Sequence, residues 1–158
     1  RTELVYILIP AIRNSYLKMS LLAIGTVAFD AIETPLGKTD KIIGGAATYI
    51  TLAASYFTRT ANLVAVVGDD FPQEYIQLLN DHGVSTEGLQ VKAGEKSFFW
   101  AGRYDKDLNS RETLVTDLNV LATFDPVIPD AYQDCQYLML GNLTPQVQKT
   151  VIERLRTR

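Results

Sequence analysis

Two adjacent glycines, Gly44 and Gly45, stand directly before an alanine-rich apolar segment that runs from Ala46 to Phe57. Adjacent glycines allow backbone conformations that other residues avoid, and they let a ligand approach the main chain closely. The first N–H groups of a helix have no partner inside it, so a helix starting here would point free donors at the glycine pair. The pattern predicts a site for a hydroxyl-rich or anionic molecule, with a plain loop before a helix as the alternative.

Polar side chains follow several other apolar segments of the chain, notably Asp30, Asp69, Asp70 and Asn142. In an open parallel sheet, ligands bind beyond the carboxyl ends of the strands. A carboxylate and an amide placed there can hydrogen-bond several hydroxyl groups of a sugar. For Asp30 the alternative is a turn residue that bonds its own backbone. For Asp69 and Asp70 helix capping is the favoured interpretation.

An aromatic cluster with one arginine lies further along the chain and contains Phe98, Phe99, Trp100, Arg103 and Tyr104. Aromatic faces can cover a sugar or a base, and arginine can contact anions. Trp100 and Arg103 are therefore candidate substrate-binding residues. A packed sheet surface or a subunit interface explains the cluster equally well.

Composition excludes several classes of function. The net charge is −3, from 15 basic and 18 acidic side chains, and no basic block stands out, so nucleic acid is not an expected partner. A single cysteine excludes an internal disulfide and suits a cytoplasmic, reducing compartment. With one cysteine and one histidine, we expect no Cys/His zinc site. The apolar segment at residues 4–12 is too short to span a bilayer, which needs about 20 apolar residues, so no membrane contact is expected.

Apolar periodicity predicts an α/β fold. Continuous apolar segments at residues 21–25, 62–67 and 137–140 indicate buried strands of a parallel sheet. Helices are predicted over residues 46–57, where Ala46, Ile50, Ala53 and Phe57 would form the buried face, from about 72 to 83, and from 145 onward. Strand-like segments at 88–91, 97–104 and 112–116 indicate a small β excursion. The alternation of strands and helices is typical of a three-layer α/β sandwich.

These segments together resemble the ribokinase-like (PfkB) family of carbohydrate kinases. The matching residues are Leu22-Ala23-Ile24-Gly25 with Asp30 downstream, Gly44-Gly45-Ala46-Ala47, Val66-Val67-Gly68-Asp69-Asp70-Phe71 and Leu79-Asn80-Asp81-His82-Gly83-Val84. The resemblance covers about residues 20–156. It implies a three-layer αβα sandwich, mostly parallel, plus a β-sheet lid formed by residues 31–43 and about 88–116. It also implies that Asp30 binds substrate hydroxyls, that Gly44 and Gly45 lie at the substrate, and, more loosely, that Asn142 lies near it.

The activity implied by the resemblance is transfer of the ATP γ-phosphoryl group to a carbohydrate hydroxyl, with ATP and Mg²⁺ as cofactors of the full-length protein. Two features depart from the family pattern. Tyr49 stands where the family often has asparagine, and the Gly-Ala-Gly-Asp motif that carries the catalytic base is absent. We therefore expect no catalytic residue and no metal ligand in this chain, which would be the inactive N-terminal portion of a kinase. Residues 1–18 are expected to form a disordered upstream extension, and residues 19–158 an incomplete kinase domain.

Two alternatives stay open beside a sugar kinase. One is a nucleoside kinase, because nothing in the sequence separates base stacking from sugar covering by Trp100. The other is a non-catalytic ligand-binding module on the same scaffold, which could form a homodimer through its lid.

Overall fold

The computed structural model describes residues 19–156, so the predicted extension over residues 1–18 lies outside the described part. Its strands and helices follow in chain order as β1 Ser20–Ile24, β2 Ala28–Thr34, β3 Gly37–Lys38, β4 Ile42–Gly44, α1 Ala46–Ser55, β5 Thr60–Gly68, α2 Gln73–Asp81, β6 Val84–Lys92, β7 Phe99–Tyr104, β8 Arg111–Asp117, β9 Tyr137–Leu140 and α3 Pro145–Arg154. Two short 3-10 helices, Asn119–Thr123 and Asp130–Tyr132, lie between β8 and β9.

A four-stranded parallel sheet in the order β6-β5-β1-β9 forms the centre of the molecule. Side chains of β5 alternate between its two faces. Leu63 and Val67 pack into a core with α1 and α2, whereas Val64 and Val66 pack into a second core with Val151 of α3 and the 3-10 helices. Because both faces are covered, β1 and β5 are apolar without alternation. The predicted three-layer α/β fold is confirmed.

Strand β9 lies at the edge of this sheet, pairing only with β1 within residues 19–156. The prediction that it is buried is wrong: Tyr137, Leu138 and Met139 are 53%, 36% and 47% exposed. An apolar segment indicates a strand that can be buried, but it does not show whether neighbouring elements cover that strand.

The second sheet has the order β3-β2-β7-β8, with β4 on the other side of β2. Strands β2 and β7 are parallel, and the other pairs are antiparallel. Its strands cover residues 28–44 and 99–117, so the predicted lid boundaries need correction at residue 88. Gly88 and Val91 belong to β6 of the central sheet, where they pair with Val64 and Val67. Strand β6 lies at the edge of the central sheet and carries polar residues, so its sequence does not show the apolar pattern of a buried strand.

Helix α1 buries a different face from the predicted one. The expected positions Ala46, Ile50 and Ala53 lie at its margin or in solvent, and Phe57 follows the end of the helix with 69% exposure. The buried positions are instead Ala47, Thr48 and Thr51. Each threonine hydroxyl donates to the carbonyl oxygen four residues earlier, at 2.7 and 2.8 Å, so both can be buried without an unsatisfied group.

None of the helices within residues 19–156 has the length and apolar character needed to cross a bilayer.

Candidate functional site

A pocket of about 330 Å³ lies where the second sheet meets the carboxyl ends of β1 and β9, within the size range of small-molecule sites. Its walls are formed by Thr26, Asp30, Ile32, Gly45, Ala46, Tyr49, Phe98, Trp100, Tyr104, Arg111 and Asn142. Of the residues selected from the sequence, Asp30, Gly45, Trp100 and Asn142 therefore lie together. Gly44 lies immediately behind Asp30, and Arg103 lies elsewhere.

Asp30 is held inside β2 and does not form a local turn, so that alternative is wrong. The Gly45 N–H donates a hydrogen bond to its carboxylate. Burial raises the pKa of Asp30 above its ordinary value, and the Gly45 bond opposes that rise in pKa. A Cβ at Gly44 would lie 2.1 Å from Asp30 Oδ2, so a larger residue there would displace the carboxylate from this position. The site thus presents a half-buried carboxylate with oxygen lone pairs for a ligand.

The first two N–H groups of α1 are hydrogen-bonded to Thr26, whereas free N–H groups were expected there. The Ala46 N–H donates to Thr26 Oγ1 at 3.1 Å, and the Ala47 N–H donates to the Thr26 carbonyl at 3.0 Å. The Thr26 hydroxyl in turn donates to Asn142 Oδ1 at 2.9 Å. Because these donors are already used, the helix start does not form an anion site. The pocket suits a ligand that donates hydroxyl groups to Asp30.

Gly45 has a backbone conformation, φ 91° and ψ 142°, that residues with a Cβ avoid. A Cβ there would lie 2.3 Å from the Thr26 carbonyl oxygen. The second glycine therefore lets the start of α1 pack against the loop after β1, and this contact brings the Gly45 N–H to Asp30.

Trp100 lies beside Asp30, because the two residues are paired in register across β2 and β7. Its indole ring covers Gly102, where a Cβ would lie 2.1 Å from Trp100 Cη2. The Arg111 guanidinium carbon lies 5.4 Å from the centroid of the same ring, at cation–π distance. Tyr104 lies on the same face of β7, four residues from Trp100, so the carboxylate is flanked by an aromatic wall.

Arg103 does not line the pocket, so it is not one of the substrate-binding residues expected there. Its register partners are Glu33 on β2 and Glu112 on β8. Its Nε atom lies 2.8 Å from Glu33 Oε1, and a guanidinium nitrogen lies 3.5 Å from Glu112 Oε2. The hydrogen bond from Arg103 lowers the pKa of the Glu33 carboxyl. Side chains alternate across a strand, so a residue three positions after Trp100 faces away from it.

Arg111, Thr26 and Tyr49 are pocket residues that sequence reasoning missed. Arg111 pairs with Tyr104 across β7 and β8, so strand alternation combined with a hairpin register would have identified it. Thr26 directly follows β1, where a polar residue has the same rationale as Asn142 after β9. The sequence marked Tyr49 only as a departure from the family pattern; its hydroxyl donates to the Ile43 carbonyl at 3.2 Å, and its ring lines the pocket.

Replacing Arg111 with alanine is expected to expose the Trp100 ring, because it removes the cation beside it. Trp100 is the single tryptophan of the chain, so acrylamide quenching of its fluorescence reports on the pocket. Quenching should increase, whereas stability should change by less than about 1 kcal/mol, the size of an exposed cation–π contact. Arg103→Ala is the matched control on the opposite face and should leave quenching unchanged. An equal increase in both variants would contradict this assignment.

Asp69 and Asp70 do not cap α2, although capping was the favoured interpretation. The helix begins after Pro72 without a side-chain cap. Asp69 Oδ2 accepts from the Gly94 N–H at 2.7 Å, and Asp70 Oδ1 accepts from both the N–H and the hydroxyl of Ser97 at 2.7 Å. Both carboxylates therefore tie the connection between β6 and β7 to the end of β5.

His82 and Cys135 lie outside the pocket. His82 Nδ1 lies 2.8 Å from the Leu78 carbonyl oxygen at the end of α2. Cys135 Sγ accepts a hydrogen bond from Asn62 Nδ2 at 3.0 Å, and burial raises the pKa of its thiol. A raised thiol pKa lowers the thiolate fraction and hence the reactivity of this cysteine.

Residues 19–156 contain no cluster of three or more His, Cys, Asp or Glu side chains that could hold a metal ion. The N–H groups at the start of α1 are bonded to Thr26, so they do not cradle a phosphate. Within residues 19–156 we therefore assign no residue to Mg²⁺ or to the phosphate groups of a nucleotide.

No protein-family model matches the chain. Among curated proteins, it is 27% identical to a cytidine kinase of Thermococcus kodakarensis, over 87% of this chain and 49% of that protein. It is 30% identical to a nucleoside kinase of Methanothermobacter thermautotrophicus, over 67% of this chain and 44% of that protein. The chain thus spans a little under half of the length of these relatives.

Solved structures with a similar fold include a nucleoside kinase of Methanocaldococcus jannaschii, described as an archaeal member of the ribokinase family. Its TM-score is 0.68 at 18% identity, over 87% of this chain and 49% of that one. A ribokinase of Cryptococcus neoformans in complex with ADP also has a TM-score of 0.68 at 18% identity, over 87% and 45% of the two chains. At this identity the likeness establishes the fold.

Proposed function

Since the chain belongs to the ribokinase-like family, we propose that it supplies the acceptor-binding part of a kinase that phosphorylates a hydroxyl group of a nucleoside. The observation that carries the proposal is the position of Asp30. A half-buried carboxylate, oriented by the Gly45 N–H, lies beside the aromatic ring of Trp100 in one pocket.

Asp30 is suited to bind the sugar part of such a substrate. A carboxylate only accepts hydrogen bonds, and its two oxygens can serve two neighbouring hydroxyl groups. Each hydrogen bond to a charged group contributes about 1.5–3 kcal/mol. Because Thr26 already satisfies the donors at the start of α1, Asp30 and not the helix start is the proposed contact of the ligand.

The aromatic wall favours a nucleoside over a free sugar. Phe98, Trp100 and Tyr104 line the same pocket as Asp30, and a flat base offers a larger stacking surface than a sugar does. Both curated relatives described above are kinases of nucleosides. A carbohydrate kinase, the first expectation from the sequence, is the second candidate, because Asp30 would hold the hydroxyl groups of either acceptor in the same way.

ATP is the proposed phosphoryl donor, by analogy with the family and with the ADP complex of the fungal ribokinase. The described residues contribute acceptor binding, and we assign none of them a role in phosphoryl transfer itself. Mg²⁺ is proposed only as a cofactor of the whole protein. A cytoplasmic location is proposed from the free thiol of Cys135, which suits a reducing compartment.

A homodimer through the second sheet also remains a proposal. Strand β8 is exposed along its whole length and carries Leu114 and Val115, which are 42% and 37% exposed. An edge strand with exposed apolar side chains can pair with a second chain. Analytical ultracentrifugation of the protein and of a Val115→Lys variant would test this, with a loss of dimer expected in the variant.

The activity test uses the longest open reading frame that contains these 158 residues, incubated with γ-labelled ATP, Mg²⁺ and a panel of nucleosides and free sugars. The proposal predicts label transfer to nucleosides, with weaker transfer to ribose. Transfer to sugars alone would select the second candidate. No transfer to any acceptor, together with nucleoside-dependent Trp100 fluorescence, would instead identify a non-catalytic binding module.

A further inference from the structure

We propose that Asp70 is a positioning residue, which holds the second sheet and its aromatic wall at a fixed place over the central sheet. Asp70 is absent from the pocket walls, so this role acts through other residues. The expected effect on nucleoside binding rests on the proposed function. The fluorescence measurement, made without ligand, does not depend on that function.

The main contact of Asp70 is with Ser97, the residue before Phe98 and β7. Asp70 Oδ1 accepts from the Ser97 N–H and from its hydroxyl, both at 2.7 Å. The Gly68 N–H donates to the same hydroxyl oxygen at 3.0 Å, and Ser97 is only 1% exposed. The carboxylate therefore fixes the point where the chain leaves the central sheet and enters the second one.

A second contact connects Asp70 to the strand that leads to the glycine pair. Asp70 Oδ2 lies 3.9 Å from Lys41 Nζ, and Lys41 directly precedes β4. The same ammonium group lies 4.9 and 5.9 Å from the ring centroids of Phe29 and Phe99, on β2 and β7. This ion pair is partly exposed and contributes little energy. Through it, the Asp70 carboxylate contacts the segment before β4 as well as the segment before β7.

The segment around Ser97 is also held from its other side. Asn119 Nδ2 donates to the Ser97 carbonyl at 2.9 Å, and the Val120 N–H donates to the Lys96 carbonyl at 3.2 Å. Phe98 accepts through its carbonyl from the Phe29 N–H at 2.9 Å. A shift of Ser97 would therefore be transmitted along β7 to Trp100, three residues later, and change its place beside Asp30.

The test compares Asp70→Ala with Asp69→Ala, a matched control in which the lost hydrogen bond goes to the exposed turn at Gly94. We expect Asp70→Ala to increase acrylamide quenching of Trp100 and to weaken nucleoside binding about tenfold, as displacement of a binding group does. Asp70→Asn keeps an oxygen acceptor for the Ser97 N–H and should restore most of both values. Asp69→Ala should resemble the wild type.

Wild-type quenching in an Asp70→Ala variant with a native circular dichroism spectrum would overturn the inference. If that variant does not fold, Ser97→Ala removes the hydroxyl bond to Asp70 together with the bond from the Gly68 N–H, and unchanged quenching in this variant also overturns the inference. If the wild type binds no nucleoside, the proposed function fails, while the quenching comparison still decides the role of Asp70.

Discussion

Replacing Asp30 with asparagine is expected to weaken nucleoside binding by about 100-fold, the loss of about 2.7 kcal/mol that one or two charged hydrogen bonds contribute. The asparagine side chain keeps one oxygen for the Gly45 N–H but loses the charge and the second acceptor that face the ligand. Titration of Trp100 fluorescence with nucleoside measures the loss in the 158-residue chain, and kcat/KM measures it in the whole protein. Unchanged affinity in this variant would show that another group holds the hydroxyls.

The same substitution should leave the free energy of unfolding at neutral pH unchanged or higher. Burial raises the pKa of Asp30 in the folded state, so folding favours the protonated form. This contribution to stability is fully present below the unfolded pKa and is lost as pH rises through the folded pKa. At neutral pH the ionised carboxylate is therefore a cost, which Asp30→Asn removes. Chemical denaturation of both proteins at neutral and acidic pH should show the difference shrinking in acid.

Nucleoside affinity should follow the ionised fraction of the same carboxylate. Because its pKa is raised above 3.8, binding should weaken on acidification at a higher pH than an ordinary aspartate would give. Affinity that stays flat until the protein unfolds in acid would contradict the role assigned to Asp30.

Gly45→Ala should destabilise the fold strongly, with a loss of about 3 kcal/mol. The new Cβ would lie 2.3 Å from the Thr26 carbonyl oxygen, a backbone atom that cannot rotate away, and φ is +91° at this position. For a chain of this size the melting temperature should fall by about 6–12 °C. Thermal unfolding followed by circular dichroism provides the measurement.

Gly83→Ala is the control for Gly45→Ala, because it isolates the cost of a positive φ. Gly83 has φ +77°, and a Cβ there would meet no atom within 4 Å. Its cost should be about 1 kcal/mol, the strain of a left-handed residue with a Cβ. Equal losses in the two variants would mean that backbone strain, and not the contact with Thr26, explains the requirement for Gly45.

The central sheet was predictable because its signals are local. Strands β1 and β5 are continuous apolar segments, and such segments are buried on both faces wherever helices cover the sheet. The start of α3 was equally local: Thr144 precedes Pro145, and its hydroxyl oxygen accepts from the Val147 N–H at 3.4 Å. The glycine pair and Asp30 were also identified from their order in the chain, although the free N–H groups expected at α1 are bonded to Thr26.

The errors have a common origin in partners that are distant in sequence. The choice between Arg103 and Arg111 depends on the register of β7 against β2 and β8, which turns Arg103 toward Glu33 on the outer face. The role of Asp70 depends on Ser97, 27 residues later. A capping pattern describes only the next turn of chain, so it could not reveal this contact.

What the sequence alone determined is most of the strands and helices, together with Asp30 and the glycine pair as candidates, because propensity, apolar periodicity and glycine positions act over a few residues. Only the tertiary structure decided which of those residues meet. Thr26 and Asn142 form two hydrogen bonds although 116 positions separate them, and Trp100 lies beside Asp30 through strand pairing. Such contacts arise when packing of the two sheets fixes the register of the strands and the face on which each side chain lies. No short segment of the chain carries that information.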